Sequence, residues 1–187
     1  MKKVFQAISV LALSCAMIAP AVASSPSGMN ADGSRLEQRL TGEVHHALAM
    51  IPQYTIFDNL AYRIDGNTVT LFGQVRNAVI KDVADKSVKR LEGVDQVNNQ
   101  IEVLPASFND DRIRMQVARA LFGDARISTY ANQPVPPIHI IVKDGHVDLV
   151  GVVRTQTDKN TAYIRANGVP GVFSVDNNLQ VEISARS

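Results

Sequence analysis

Val69-Thr-Leu-Phe-Gly73-Gln-Val-Arg76 returns 78 residues later as Val147-Asp-Leu-Val-Gly151-Val-Val-Arg154. A second block follows in the same register: Gly93-Val-Asp-Gln-Val97-Asn-Asn-Gln-Ile101-Glu-Val103 returns as Gly171-Val-Phe-Ser-Val175-Asp-Asn-Asn-Leu179-Gln-Val181. Two blocks at one offset require an intervening segment of equal length in both copies, so the chain reads as two small homologous domains. Around the first block, Val69, Leu71, Gly73 and Val75 alternate onto one face, with Thr68, Thr70, Phe72 and Gln74 on the other. Tyr54 to Ile64 reads as the antiparallel partner, joined through the Asp65-Gly66-Asn67 turn.

Working outward, Leu36, Leu40, Val44 and Leu48 recur on one helical face until Pro52 ends the run. A helix with Ile80, Val83/Ala84, Val88 and Leu91 follows the hairpin, and Gln96 to Leu104 makes a last strand. The second copy opens with a helix from about Asp110 to Leu121, followed by an irregular passage from Gly123 to Pro137. Its hairpin is Ile138 to Val142 and Val147 to Val153, and Thr155-Gln-Thr-Asp158 forms a capping box in which the carboxylate returns to the Thr155 N–H. A weaker helix and a strand from Ser174 to Ile183 complete it. The fold class is α+β: two tandem α-β-β-α-β units, each a three-stranded mixed sheet with two helices on one face. The divisions are a signal peptide at 1–23, a flexible leader at 24–33, and domains at 34–104 and 105–187.

Lys2 and Lys3, the apolar run from Val4 to Ile18 and Ala21-Val22-Ala23 form an export signal with cleavage after Ala23. Cys15 supports a competing reading as a lipoprotein anchor, although Ala12-Leu13-Ser14-Cys15 is a loose match to a lipobox. The 19 Lys and Arg, less Lys2 and Lys3, leave 17 against 18 Asp and Glu. A nearly neutral mature chain has no global field for a polyanion, which argues against nucleic acid. Cleavage also removes the one cysteine, so the domains depend on apolar packing and not on disulfides.

Gly73 and Gly151 occupy inward strand positions, where glycine is costly unless a backbone passes close; a helix crossing or a bulge would explain both, and a backbone-lined ligand site is the functional alternative. Gly93 and Gly171 read as helix terminators. His45, His46, His139 and His146 lack metal-ligand spacing, and no nucleophile elbow or phosphate-binding loop occurs. No catalytic, metal or cofactor site is expected, and a hydrolytic enzyme stays a remote alternative. One pattern points to binding. With Ile113 as the centre of the buried face, Arg112 and Arg119 lie on one flank and Arg114 on the other, where guanidinium groups can meet phosphate. Asp110 and Asp111 are placed to neutralise much of that charge. Phe72, on the face away from the helices, is the candidate protein contact; Tyr54 or Tyr62 could share that face.

The hairpins ending in Gly-x-Val, followed by Ala84 or Ala162 and by Gly93-Val-x-x-Val97-x-Asn or Gly171-Val-x-x-Val175-x-Asn, resemble the BON domain. The chain is similar to the dual-BON, OsmY-like periplasmic proteins of Gram-negative bacteria. That resemblance covers about Ser34 to Leu104 and about Ser107 to Ile183. It implies non-enzymatic work at the envelope: osmotic and envelope-stress tolerance, outer-membrane integrity and, in a lipoprotein branch, anionic phospholipid bound through the second domain. The alternative it carries is a chaperone or adaptor for outer-membrane protein clients. The expected location is the periplasm, or a membrane tether through Cys15 if the lipoprotein reading holds. Intact-mass analysis of the exported protein tests the processing: a species beginning at Ser24 is expected, and a lipid-modified species beginning at Cys15 contradicts it.

Overall fold

The alternating repeat becomes the middle strand of each of two sheets. The computed structural model describes residues 29–133 and 136–182, with side chains from Gln38 onward. The expected signal peptide, Cys15 and leader residues 24–28 lie outside the described residues, as does the Leu36 side chain.

In chain order the elements are α1 (Met29–Ala49), β1 (Asn59–Asp65), β2 (Thr68–Val75), α2 (Ala78–Val88), β3 (Gln96–Asn99), β4 (Glu102–Val103), α3 (Phe108–Phe122), α4 (Ser128–Ala131), β5 (Ile138–Lys143), β6 (His146–Val153), α5 (Gln156–Asn167) and β7 (Ser174–Val181). In the first sheet β1 runs antiparallel to β2, and β3 and β4 run parallel to it. In the second, β5 is antiparallel and β7 parallel to the central β6. One core gathers Val44, Leu48, Val69, Leu71, Ile80 and Ala84, and the other Ile113, Val117, Ile140, Leu149, Ala162 and Leu179. The α+β fold of two tandem units is as expected.

Several local expectations are corrected. Helix α1 already begins at Met29, inside the stretch read as leader. The irregular passage after Gly123 contains the single turn of α4. The expected third strand of the first unit breaks into β3 and β4. The register to β2 is the same on both sides of the break, with Gln100 N–H still donating to the Leu71 carbonyl at 2.8 Å. There Asn99 Oδ1 accepts from Ile101 N–H at 3.2 Å, and its Nδ2 donates to the Lys81 carbonyl at 3.0 Å. The equivalent Asn177 donates to the Lys159 carbonyl at 2.8 Å, so the repeated Asn ties strand to helix in both units. In the capping box, Thr155 Oγ1 accepts from Asp158 N–H at 3.1 Å, but the Asp158 carboxylate accepts from the buried Tyr130 hydroxyl at 2.8 Å and not from Thr155 N–H.

The glycines separate into two jobs. Gly73 and Gly151 have φ of +117° and +126°. A Cβ at either position would collide with the backbone carbonyl of Asn59 or Pro137, at the start of the neighbouring strand. The close approach is therefore strand on strand, and not the helix crossing entertained from sequence. Gly93 and Gly171, with φ of +90° and +92°, lie beyond the helix ends, which fall at Lys89 and Gly168. They are third residues of the turns closed by Val94 N–H to Leu91 C=O and Val172 N–H to Val169 C=O. That position of a type II turn requires positive φ.

Residues 54–58, expected as strand, form a turn held by the buried Asp58, whose carboxylate accepts from Thr55 N–H, Thr55 Oγ1 and Arg76 N–H. This turn docks on the second unit. The Ile140 N–H donates to the Ile56 carbonyl at 2.7 Å, Ile56 and Phe57 pack against the second core, and the Tyr54 ring lies 5.4 Å from His139. Tyr54 and Tyr62 both pack against the first core, so neither shares an open face with Phe72. Burial pushes the Tyr54 hydroxyl pKa up to about 12. It also pulls the His139 pKa below its ordinary 6.5, against the opposing pull of the Asp58 and Thr55 carbonyls and the Asp58 charge.

Two predictions follow from these positions. Gly151→Ala should cost about 2 kcal/mol or more in urea unfolding, since neither the positive φ nor the opposing carbonyl admits a Cβ. Gly42→Ala, on α1 with nothing within 4 Å, should be neutral or gain roughly 0.5–1 kcal/mol. For His139 the sign is fixed by its lowered pKa. Above 6.5 the ring is neutral whether folded or unfolded and pH has no leverage through it. As pH falls below that value the unfolded chain takes up a proton that the folded chain resists, so stability drops until the folded pKa is passed. Unfolding midpoints at about pH 7.5 and about pH 5.5 should differ more for the wild type than for His139→Phe; equal differences would refute the assignment.

Candidate functional site

Helix α3 is positioned from its first turn. Ser107 caps it, its Oγ accepting from Asp110 N–H at 3.2 Å. The buried Asp110 carboxylate accepts from the Asp144 and Gly145 N–H groups at 3.0 and 2.9 Å, which pins the helix to the β5–β6 turn. Along the helix Ile113, Val117 and Leu121 are fully buried. The buried face therefore centres on Val117 and not on Ile113.

That shift changes the reading of the three arginines. Arg114 stands about 60° from Val117 around the helix, so it turns inward and is 3% exposed. Its guanidinium donates to the Val142 carbonyl at 2.5 Å and to Asp111 Oδ1 at 2.7 Å. Arg114 is thus a strut between α3 and β5, and it does not join the other two at the surface. Arg112 and Arg119 lie opposite the buried face and are exposed. Arg112 donates to Asn109 Oδ1 at 2.7 Å, and neither forms an ion pair among the described residues. Asp110 and Asp111 do not neutralise them, because Asp110 is spent on backbone amides and Asp111 pairs with Arg114 and, at 3.9 Å, with Arg76.

From sequence, Met115 and Phe122 add bulk near the arginines; Phe122 instead packs partly buried against the second core, and Phe108 and Phe173 were missed. Phe108 is 94% exposed and Met115 48%, and at helical spacing they alternate with Arg112 and Arg119 along one outer stripe. The turn at Gly171 comes up beside Arg112: a Cβ on Gly171 would lie 3.6 Å from Arg112 Nη2. Two residues on, Phe173 is 78% exposed, its ring held edge-on to His146 at 4.8 Å between centroids. Between α3 and α5 runs an open groove of about 450 Å³ floored by Ala120, Val169 and Pro170, with Ile164, Arg119 and Arg165 at its rim. Arg165 is held by Asp124 at 2.7 Å. The Phe108–Arg112 spacing of four was the one signal available in sequence.

Such a surface offers apolar side chains at solvent level beside unpaired guanidinium groups. Phe72 lies elsewhere, 42% exposed on the open face of the first sheet, beside Ala61 on β1 and away from both helices. A half-open cleft of about 480 Å³ between the units is lined by Leu48, Tyr54, Leu60, Tyr62, His139 and Val150 among others, with no Lys, Arg, Asp or Glu. Among the described residues no group of three or more His, Cys, Asp or Glu could hold a metal ion, and no helix is long and apolar enough to cross a membrane.

Comparison with known proteins matches these features to a family. Over 112 residues the chain is 35% identical to the outer membrane lipoprotein DolP of Haemophilus influenzae, covering 57% of this chain and 54% of that protein. The chain thus spans about half the length of that relative. It is 29% identical over 160 residues to osmotically-inducible protein Y of Escherichia coli, covering 83% of this chain and 78% of the relative. Among solved structures, the C-terminal domain of CdsD, a structural protein of the type III secretion system of Chlamydia trachomatis, aligns over 76% of this chain and 97% of its own at 12% identity and a TM-score of 0.28. The BON domain profile matches twice, at residues 61–105 and 109–183. The chain belongs to the BON-domain family and carries two BON domains in tandem.

Proposed function

We propose that this protein is a non-enzymatic envelope stress protein of the periplasm that attaches reversibly to anionic phospholipid through the outer surface of α3 and the 169–173 turn. The observation that carries this reading is the convergence of exposed Phe108, Met115 and Phe173 with unpaired Arg112 and Arg119 on one face of the second domain. Large apolar side chains left at full exposure beside a polar rim mark an interaction surface. Arginine next to aromatic rings suits the membrane interface, where phosphate meets the upper acyl region. The names of the two relatives, an outer membrane lipoprotein and an osmotically inducible protein, support an envelope setting.

The strength expected is modest. Each arginine near an anionic surface contributes on the order of 1 kcal/mol, so two supply a reversible attachment that the aromatic rings deepen. The adaptor reading, in which Phe72 meets outer-membrane protein clients, rests on a single half-exposed ring on a largely polar sheet face, and is the weaker of the two.

Co-sedimentation of the mature chain with vesicles tests the proposal. Binding is expected to phosphatidylglycerol or cardiolipin vesicles and to be much weaker with neutral ones, and it should fall as salt screens the charges over about 8–10 Å. The Arg112→Ala/Arg119→Ala pair should weaken binding roughly 30-fold, the equivalent of about 2 kcal/mol, with an unchanged helical spectrum. Arg114→Ala should instead lower stability, by about 2 kcal/mol for the lost buried charge-assisted hydrogen bonds. Wild-type protein remaining in the supernatant with anionic vesicles at low salt would sink the lipid reading.

A further inference from the structure

Two open sheets present four edges, and three of them are blunted. β1 ends in the exposed, paired charges Arg63 and Asp65. The opposite edge of that sheet is broken into β3 and β4, of four and two residues, with the Asn99 side chain occupying the Ile101 N–H. In the second sheet the β5 edge is occupied, since the Ile140 N–H donates to the Ile56 carbonyl of the first unit. These are the devices by which proteins keep strand edges from pairing with other chains: charge, interruption and cover.

Among the described residues β7 has neither interruption nor cover, and little charge. It runs unbroken for eight residues, Ser174-Val-Asp-Asn-Asn-Leu-Gln-Val181, pairs on one side only with β6, and ends the sheet. It contains no proline and no lysine, and Asp176 is its one charge. The repeat makes the contrast specific, because β7 and the broken β3–β4 segment are the same element of the two copies. Only the second copy keeps its edge whole.

We propose that β7 is a self-association edge, pairing antiparallel with β7 of a second copy to give a continuous six-stranded sheet. The strand is self-complementary. With a two-fold axis at Asn178, Val175 faces Val181, Asp176 faces Gln180 and Ser174 faces Glu182 of the other copy, so no like charges oppose. Two other registers oppose like charges: an axis at Asp176 sets two Asp176 carboxylates together, and one at Leu179 sets Asp176 against Glu182. An axis at Asn177 does not, but there position 180 faces Ser174 in place of Asp176. Beside the edge, Tyr163 is 41% exposed and stands one helical turn beyond Lys159, whose carbonyl is tied to β7 by Asn177. Two copies joined at β7 bring their α5 helices side by side and give this ring a surface to cover. An isologous contact of this kind closes on itself and makes a dimer, not a fibre.

Sedimentation equilibrium of the mature chain across a concentration series tests the proposal, and it does not depend on lipid binding. A mass rising toward twice that of the monomer is expected. Position 180 reads the register, because it is exposed and its substitution leaves the sheet ladder intact. Gln180→Asp opposes two pairs of like charges across the axis and should shift the dissociation constant upward by tenfold or more. Gln180→Lys pairs with Asp176 of the other copy and should tighten the dimer by a few-fold. A monomer at every concentration overturns the proposal. A dimer that is indifferent to both substitutions overturns it too, since the contact then lies on another surface or in another register.

Discussion

The fold depends on one steric constraint met twice: the first strand of each hairpin passes its carbonyl through the space where residue 73 or 151 would carry a Cβ. Only glycine allows that approach, at φ values an L side chain rarely adopts. The antiparallel register runs without a bulge through both glycines, and the helices pack on the face where Leu71 and Leu149 are fully buried. A sheet covered on one side leaves its other side to be managed. In the second unit the turn at residues 54–58 seals part of that need, joining the two units through a backbone hydrogen bond and the Tyr54–His139 contact.

From that frame follows the division of labour on α3. The same helix that buries Ile113, Val117 and Leu121 must satisfy the polar groups it brings in. Asp110 takes the amides of the β5–β6 turn and Arg114 takes the Val142 carbonyl. Buried charge of this kind is tolerated because both terminal nitrogens of Arg114 and both oxygens of Asp110 find partners, with Arg114 Nε the one guanidinium nitrogen left over. With Asp110 and Asp111 committed inward or to Arg114, the outer stripe keeps its positive charge beside Phe108 and Met115. A chain with almost no net charge thereby acquires a locally cationic, apolar face, which total composition conceals.

The repeat made the architecture legible: equal spacing of two blocks defines two units, and the alternation around Gly73 and Gly151 assigns the central strands. Boundaries were less legible where tertiary contacts decide them. Tyr54 to Asp58 has the composition of a strand, but the Asp58 carboxylate folds it into a turn that serves the other unit. Gly93 and Gly171 look like helix ends, although the helices stop earlier and the glycines serve type II turns. At the candidate site, choosing Ile113 as the centre of the buried face placed Arg114 outside; an error of about 40° around the helix is enough to exchange a strut for a contact residue. Phe173 could not be joined to α3 from sequence, because the turn that brings it beside Arg112 is a long-range contact.

The most direct test of the membrane account uses the position of a probe instead of the loss of a side chain. The sequence has one cysteine, Cys15, inside the segment expected to be removed, so a single engineered cysteine in the mature chain can carry an environment-sensitive fluorophore. Labelled at Phe173→Cys, the probe should shift to the blue and brighten when phosphatidylglycerol vesicles are added. Labelled at Phe72→Cys on the open face of the first sheet, it should not change. The reverse pattern, with the response at position 72 and none at 173, would contradict the account and place the contact surface on the first domain.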